Sequence, residues 1–264
     1  MNLCIILIVA HKEKLSEAEQ ASLKQCYTIL GNYPIKFICP KGLNVAEYKK
    51  IQSNVEFEFI DPKWQSTYKM FGRLKVVPLL YDKFKQYRYI LFYELDAWVF
   101  RDELEYWCNK NYDYIGAPWL EGWNNAKQGA KVIGIGNGGF SLRKVSSHLK
   151  ALHSFSYIKK TSELVKEYRS GKCSLIELVK NLTICNNTFI VFNNYYLHED
   201  VFWGKIVAGN FKWFHLPIPE EAFKFSVEVL PSQFISDTNT LPFGCHGWNK
   251  YEPEFWEKYI QIKI

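Results

Sequence analysis

YRYILFYELDAWVF, residues 87–100, contains the clearest buried strand in the sequence, YILFY, and runs directly into Glu94-Leu95-Asp96. A continuous apolar run bounded by polar residues is the pattern of a strand covered on both faces, as in a parallel sheet. The two carboxylates follow its C-terminal end, which is where open α/β sheets bind ligands. Upstream, LCIILIVAHK (3–12) is a second such run. Ser16 then opens a helical stretch with Glu17 and Glu19 in its first turn, where they suit the helix dipole, and Gly31-Asn32 ends it. IKFICP (35–40) and EFEFI (56–60) read as further strands. Strand, helix and strand in this order predict an α/β domain with right-handed crossovers.

Residues 67–86 have a helical pattern with Leu74, Val77, Leu80 and Tyr81 on one face, kinked or divided at Pro78. A short helix is expected over 102–111, a strand and turn over YDYIGAPW (112–119), and a polar loop over 120–131. IGNGGFSLRK (135–144) places a glycine loop before a strand. Residues 145–180 are mostly helical with charged faces, and HEDVFWGKI (198–206) reads as a turn entering a helix. Pro217, Pro219, Pro231, Pro242 and Pro253 make the C-terminal part loop-rich.

The 264 residues allow one large domain or two small ones. With no repeat, low-complexity tract or linker, one domain over 1–264 is expected. A hydrophobic fraction of 48% with 23% charged residues excludes disorder for most of the chain. The net charge of +6 suits an anionic partner: a nucleotide diphosphate, an acidic glycan or a membrane surface. The lysines are dispersed and form no basic block, so nucleic acid is not expected. None of the seven cysteines has C-x-x-C spacing, which argues against a zinc ribbon. Their odd number, with no secretory signal, points to a reducing cytosol. The apolar residues 3–10 are too few to span a bilayer.

Four constellations could carry chemistry. Glu94 and Asp96 could bind a hard divalent cation and bridge it to phosphates; they could equally cap the 102–111 helix or pair with Arg101. Gly136-Asn137-Gly138-Gly139 lets backbone approach a ligand, or forms a tight turn; no Lys-Ser/Thr follows it, so it is not a P-loop. Glu199 and Asp200 after His198 could act as a general base, or merely start a helix. His246, in Cys245-His246-Gly247-Trp248, could ligate a metal or be a buried, hydrogen-bonded imidazole; without a second Cys/His pair, zinc is not expected. Trp119, Trp123 and Trp248 lie near these motifs, as sugar platforms or as core.

These elements follow one another as Glu94-x-Asp96, NGGFSLR, HEDVFWG and FGCHGW. Together they resemble the landmarks of GT-A-fold glycosyltransferases: an acidic metal motif, a glycine loop, an x-Glu-Asp motif and a C-terminal metal-binding His. The longer strings YILFYELDAWVFRDEL, YDYIGAPW, GNGGFSLRK, EDVFWG, FSVE and PFGCHGW resemble an uncharacterised bacterial family of small glycosyltransferase-like proteins. The resemblance implies a GT-A-like (Rossmann-like) mixed, mainly parallel sheet flanked by helices. Residues 1–100 would mainly bind nucleotide and 101–264 mainly acceptor.

By the same resemblance, Asp96 and His246 would bind Mn²⁺ or Mg²⁺. Glu94 would do so too, or would face the nucleotide ribose, since the family more often has Asp there. Gly138 and Gly139 would lie under the donor sugar and acceptor. Asp200 would be the base of an inverting transfer, and Glu199 would orient a sugar. Ala10, His11 and Lys12 would meet the nucleotide base and ribose by analogy with the fold. Arg73 and Lys75, which precede the acidic strand, could meet phosphates; the basic residues of either set could equally be merely solvated. The implied substrates are a nucleotide-diphosphate sugar and a glycan or lipid-linked glycan. The implied setting is bacterial polysaccharide synthesis in the cytoplasm, with peripheral membrane association at the inner face as one option. A noncatalytic glycan-binding protein and a nucleotide-sugar hydrolase remain alternatives. A nucleotidyltransferase is disfavoured, because AHKEKLSEAE after the first strand has no glycine.

Overall fold

β1 (Asn2–Val9) lies inside the main sheet, and its side chains from Cys4 onward are buried. β2 (Ile35–Pro40), β3 (Glu56–Ile60) and β4 (Tyr87–Tyr93) extend it by parallel pairing. Beyond β4, the run 87–100 turns a corner at Glu94–Asp96, where the Ala97 N–H donates to the Glu94 carbonyl at 2.8 Å, and continues as β5 (Ala97–Val99). The remaining strands are β6 (Tyr114–Ile115), β7 (Pro118–Leu120), β8 (Val132–Ile135), β9 (Phe140–Lys144), β10 (Ser226–Val227) and β11 (Gly244–His246). The main sheet has the order β3-β2-β1-β4-β9-β6, with β9 antiparallel to both neighbours. The expected mixed, mainly parallel sheet flanked by helices is therefore present. This computed structural model describes residues 2–195, 197–235 and 240–261.

Alternation along β1 sends Ile6 and Ile8 to one side of the sheet and Ile5 and Leu7 to the other, each into its own apolar cluster. α1 (Glu17–Leu30) covers the first side. Its start is fixed by a capping box, in which the Glu19 backbone N–H donates to Ser16 Oγ and the Glu19 carboxylate accepts the Ser16 N–H. α2 (Ala46–Ile51), between β2 and β3, has no counterpart in the sequence reading.

The helix expected over 67–86 is two helices, α3 (Tyr68–Leu74) and α4 (Pro78–Lys83). Pro78 has no N–H to give and takes the first turn of α4, where none is needed. At the break, the Lys75 carbonyl accepts from the Tyr81 hydroxyl at 2.9 Å and from Trp203 Nε1 at 3.1 Å. α5 (Leu104–Asn109) lies within the expected 102–111 segment. The largely helical stretch after β9 holds α6 (Val145–Leu152), α7 (Thr161–Arg169), α8 (Leu175–Lys180) and α9 (Thr188–Asn193). α10 (Glu199–Val201) runs on into a π-helical turn, Phe202–Val207.

A second sheet, β10-β11-β5, forms beside the first, and β7, at the end of the expected 112–119 strand and turn, pairs antiparallel with β8, just past the expected 120–131 loop. All seven cysteines are free thiols. Among the described residues, no helix is long and apolar enough to cross a membrane.

Candidate active site

Strand pairing brings the distant motifs together. β11 runs antiparallel to β5 with His246 opposite Ala97, and the Gly247 N–H donates to the Asp96 carbonyl at 2.9 Å. That places the imidazole at the acidic corner. The Glu94 N–H donates to the Gly139 carbonyl at 2.7 Å, which draws the glycine loop to the same corner. β10 lies parallel to β11 with Val227 opposite Cys245, so Glu228 comes next to His246. The result is a cleft of about 1030 Å³ lined by Glu94, Asp96, His246, Glu199 and Asp200 together with the glycine loop.

One ligand atom from each of Glu94, Asp96 and His246 can be chosen so that all three lie within 4.8 Å of one another. His246 Nε2 is 3.0 Å from Asp96 Oδ1 and 3.8 Å from Glu94 Oε2. Although Nε2 is buried and close to Asp96, it has no hydrogen-bond partner; the pair is near but misaligned. At the other side of the ring, Nδ1 is 2.8 Å from Glu228 Oε1 and 3.2 Å from Asn137 Nδ2. Asn137 Oδ1 already accepts the Gly139 and Phe140 N–H groups, so its amide nitrogen faces the ring and cannot accept from it. Nδ1–H therefore donates to Glu228; in the neutral ring this leaves the Nε2 lone pair for the acidic corner, and in the protonated ring Nε2–H faces Asp96 instead. Two carboxylates and an imidazole so arranged fit a divalent cation such as Mn²⁺ or Mg²⁺, and the Glu228 contact is the outer support that such a histidine usually has.

Burial works against charge on His246, but Asp96, Glu228 and Glu94 outweigh it and hold the imidazole well above its ordinary pKa. Burial likewise opposes ionisation of Glu94 and Asp96. Lys75 and then His246 overcome it for Glu94, and His246 for Asp96, so both carboxyls stay well below the usual range. Lys250 also pairs with Asp96. The alternative partner Arg101 is elsewhere: it bonds Glu103 at 2.6 Å and the carbonyls of Leu241 and Pro242.

Behind the corner lies a buried ionic chain. Lys75 Nζ is 2.8 Å from Glu94 Oε1 and 3.4 Å from Glu199 Oε1. Glu199 Oε1 accepts from the fully buried Arg143 at 2.9 Å, and Oε2 lies 2.8 Å from the other guanidinium nitrogen as an ion pair without a hydrogen bond. Arg143 also meets Ser141 Oγ and Tyr81 Oη and lies over the ring of Phe92. Asp200 is different. Its Oδ1 accepts the Val201 N–H at 2.8 Å, and among the described residues it makes no ion pair. Burial, then the neighbouring Glu199 charge, raise its pKa.

Gly138 and Gly139 line the cleft, but the structure gives a more immediate reason for them. A Cβ on Gly138 would lie 2.0 Å from Glu199 Oε1, and one on Gly139 2.0 Å from His246 Nε2. The loop is glycine so that site side chains can cross it.

His11 and Lys12 line the cleft, with Lys12 paired to Glu19 at 2.6 Å. Ala10 does not: it is fully buried, and its N–H is spent on the Ile38 carbonyl. Arg73 does not either, because its guanidinium is turned to the carbonyls of Phe192 and Tyr195, and Lys75 supplies the cation at the cleft instead. Of the three tryptophans, Trp248 packs edge-on to Trp98 in a core cluster. Trp119 is also buried, with its indole against Gly134, Gly136 and Gly204. Trp123 is 43% exposed and stands in the cleft wall with its ring 5.3 Å from that of Trp119. Glu228, Arg143 and Lys250 had no role in the sequence reading, and Asn137 was named only as part of the glycine turn; the FSVE and NGGFSLR strings contained Glu228, Arg143 and Asn137 without marking their side chains.

No curated protein sequence matches the chain. Several solved structures are similar in part. Core-mannan synthase A from Aspergillus fumigatus, in a Mn/GDP form, aligns at 14% identity and a TM-score of 0.41 over 56% of this chain and 60% of that one. Mouse xyloside xylosyltransferase 1 aligns at 11% identity and 0.48 over 93% and 97%. The glycosyltransferase GlyE of Streptococcus pneumoniae aligns at 12% and 0.49 over 99% and 60%. The chain thus spans less than two thirds of the length of the first and the last of these. Residues 54–246, which hold the acidic corner, the glycine loop, Glu199, Asp200, Glu228 and His246, match the family model described as "Protein of unknown function (DUF5672)", and the chain belongs to that family.

Proposed function

We propose that the protein is a glycosyltransferase that moves a sugar, with inversion, from a nucleotide-diphosphate sugar to a hydroxyl of a glycan or lipid-linked glycan. The observation that carries this reading is the pairing, in one cleft, of a Glu94–Asp96–His246 cation site with a carboxylate, Asp200, free of any ion pair among the described residues.

Glu94, Asp96 and His246 would hold Mn²⁺ or Mg²⁺. Such an ion, when bound, balances the charge of the departing diphosphate and helps to orient it. Lys250 and Lys12, both on the cleft wall, would meet phosphate oxygens, and His11 the ribose or base. Lys75 and Arg143 hold Glu94 and Glu199 in place. Asp200 takes the acceptor hydroxyl proton while that oxygen bonds the anomeric carbon and the bond from that carbon to the diphosphate breaks. Attack opposite the leaving group inverts the configuration. Trp123, beside Trp119 and with the Lys205 ammonium 5.0 Å from its ring, would stack on an acceptor sugar. Residues 1–264 would act as one domain, because donor and acceptor elements interleave from 94 to 248; residues 1–100 would mainly bind nucleotide and 101–264 mainly acceptor.

Donor consumption measured with labelled nucleotide sugars, with and without acceptor, tests the reading. Acceptor-dependent, metal-dependent transfer is expected. Hydrolysis alone would favour a nucleotide-sugar hydrolase, and binding without consumption a glycan-binding protein.

A further inference from the structure

Residues 155–195 carry a surface that the cleft chemistry does not use. α8 turns Leu175, Ile176 and Val179 outward, each more than half exposed, and Leu182 in the following π-helical turn, Asn181–Cys185, is exposed as well. The spacing i, i+1, i+4, i+7 puts these four on one stripe of the helix, while Leu178 is buried. A surface helix normally hides its apolar stripe; this one presents it to solvent. Phe155, Tyr157, Ile184 and Phe189 are also more than half exposed. A bridge between Tyr157 and Asn187 ties the first two to the start of α9.

The same stretch is basic. Lys159, Lys160, Lys166, Arg169, Lys172 and Lys180 are all exposed, against only Glu163, Glu167 and Glu177. Its net charge of +3 is half of the chain's +6. The matching partner is apolar and anionic at once. A second copy would answer the apolar stripe but would set like charge against like. An anionic bilayer answers both, because leucine, isoleucine and aromatic side chains enter the acyl boundary while lysines meet lipid phosphates.

We propose that the α7–α9 segment docks the protein on an anionic membrane surface. α9 leads directly to the cleft: Arg73 holds the carbonyls of Phe192 and Tyr195, and Leu197 lines the cleft with Tyr68. Docking would thus present the site to an acceptor carried on lipid. That last step rests on the glycosyltransferase reading; the docking itself does not.

Flotation of the full chain with vesicles of phosphatidylcholine, alone or mixed with phosphatidylglycerol, tests it. Binding to the mixed vesicles is expected, weaker at high salt and much weaker on phosphatidylcholine alone. The double variant Ile176→Glu/Val179→Glu should lower the partition coefficient about tenfold or more, with the thermal unfolding temperature unchanged because both side chains are exposed. Three results would overturn the proposal: no flotation with anionic vesicles, equal flotation of the variant, or a wild-type dimer in light scattering that the variant dissolves. None of these readouts needs turnover, so the docking can fail while the transferase reading stands, and the reverse.

Discussion

Glu228 accepts the Nδ1–H of His246 at 2.8 Å and so aims the opposite ring nitrogen at Glu94 and Asp96. Outer-shell partners of this kind typically change metal affinity about 10–100-fold when removed. Glu228→Gln is therefore expected to weaken Mn²⁺ binding by that order while leaving the fold intact. Calorimetric titration of Mn²⁺ into the protein, alone and with a nucleoside diphosphate, measures it; unchanged affinity would mean that the contact does not orient a ligand.

The Glu199–Arg143 pair makes a separate prediction about stability. Removing one member of a buried ion pair leaves an uncompensated charge, at a cost of about 3–5 kcal/mol. Glu199→Ala should thus lower the thermal unfolding temperature sharply. Glu199→Gln, which keeps hydrogen-bond acceptance by one oxygen, should lower it less. Equal melting of wild type and Glu199→Ala would show that Arg143 finds another partner.

A general base at Asp200 would set the pH dependence. Burial, followed by the Glu199 charge, raises its carboxyl above the ordinary 3.8. A general base works only when ionised, so transfer should rise with pH through that raised value and then level off. Asp200→Asn should lower kcat by about 10²–10⁴-fold and leave donor affinity nearly unchanged. A pH–rate profile without an acidic limb, or a fully active Asn variant, would remove Asp200 from the base role.

Gly139→Ala should behave like a ligand mutation although the residue has no side chain. Its Cβ would fall 2.0 Å from His246 Nε2, so the imidazole must move. A loss of Mn²⁺ affinity of about tenfold or more is expected, comparable to losing outer-shell support. Gly138→Ala would instead press on Glu199 and should show first in the melting temperature.

Much of this architecture is legible in the sequence, and the parts that are not share a physical cause. The buried strand, its acidic end and the break at Pro78 are local: apolar continuity and a missing N–H act within a few residues. The parallel part of the main sheet, β3-β2-β1-β4, follows from such runs. The support around His246 is not local, because it depends on the registers of β5, β11 and β10, which short, loop-flanked strands do not reveal. Arg73 and Lys75 show the same limit at finer grain. Both are basic and precede β4, but residues two apart near a helix end point in very different directions. One reaches backbone carbonyls in the interior and the other reaches the cleft. β7 and β8 were hidden because their residues show no clear alternation.

The most direct test of a metal-dependent transferase is release of nucleoside diphosphate from a panel of nucleotide sugars, with Mn²⁺ or EDTA, for wild type, Asp96→Asn and Asp200→Asn. The account predicts release by wild type only with metal and acceptor, loss of both donor binding and release in Asp96→Asn, and donor binding without transfer in Asp200→Asn. Release that survives EDTA, or that Asp96→Asn and Asp200→Asn leave unchanged, would contradict it.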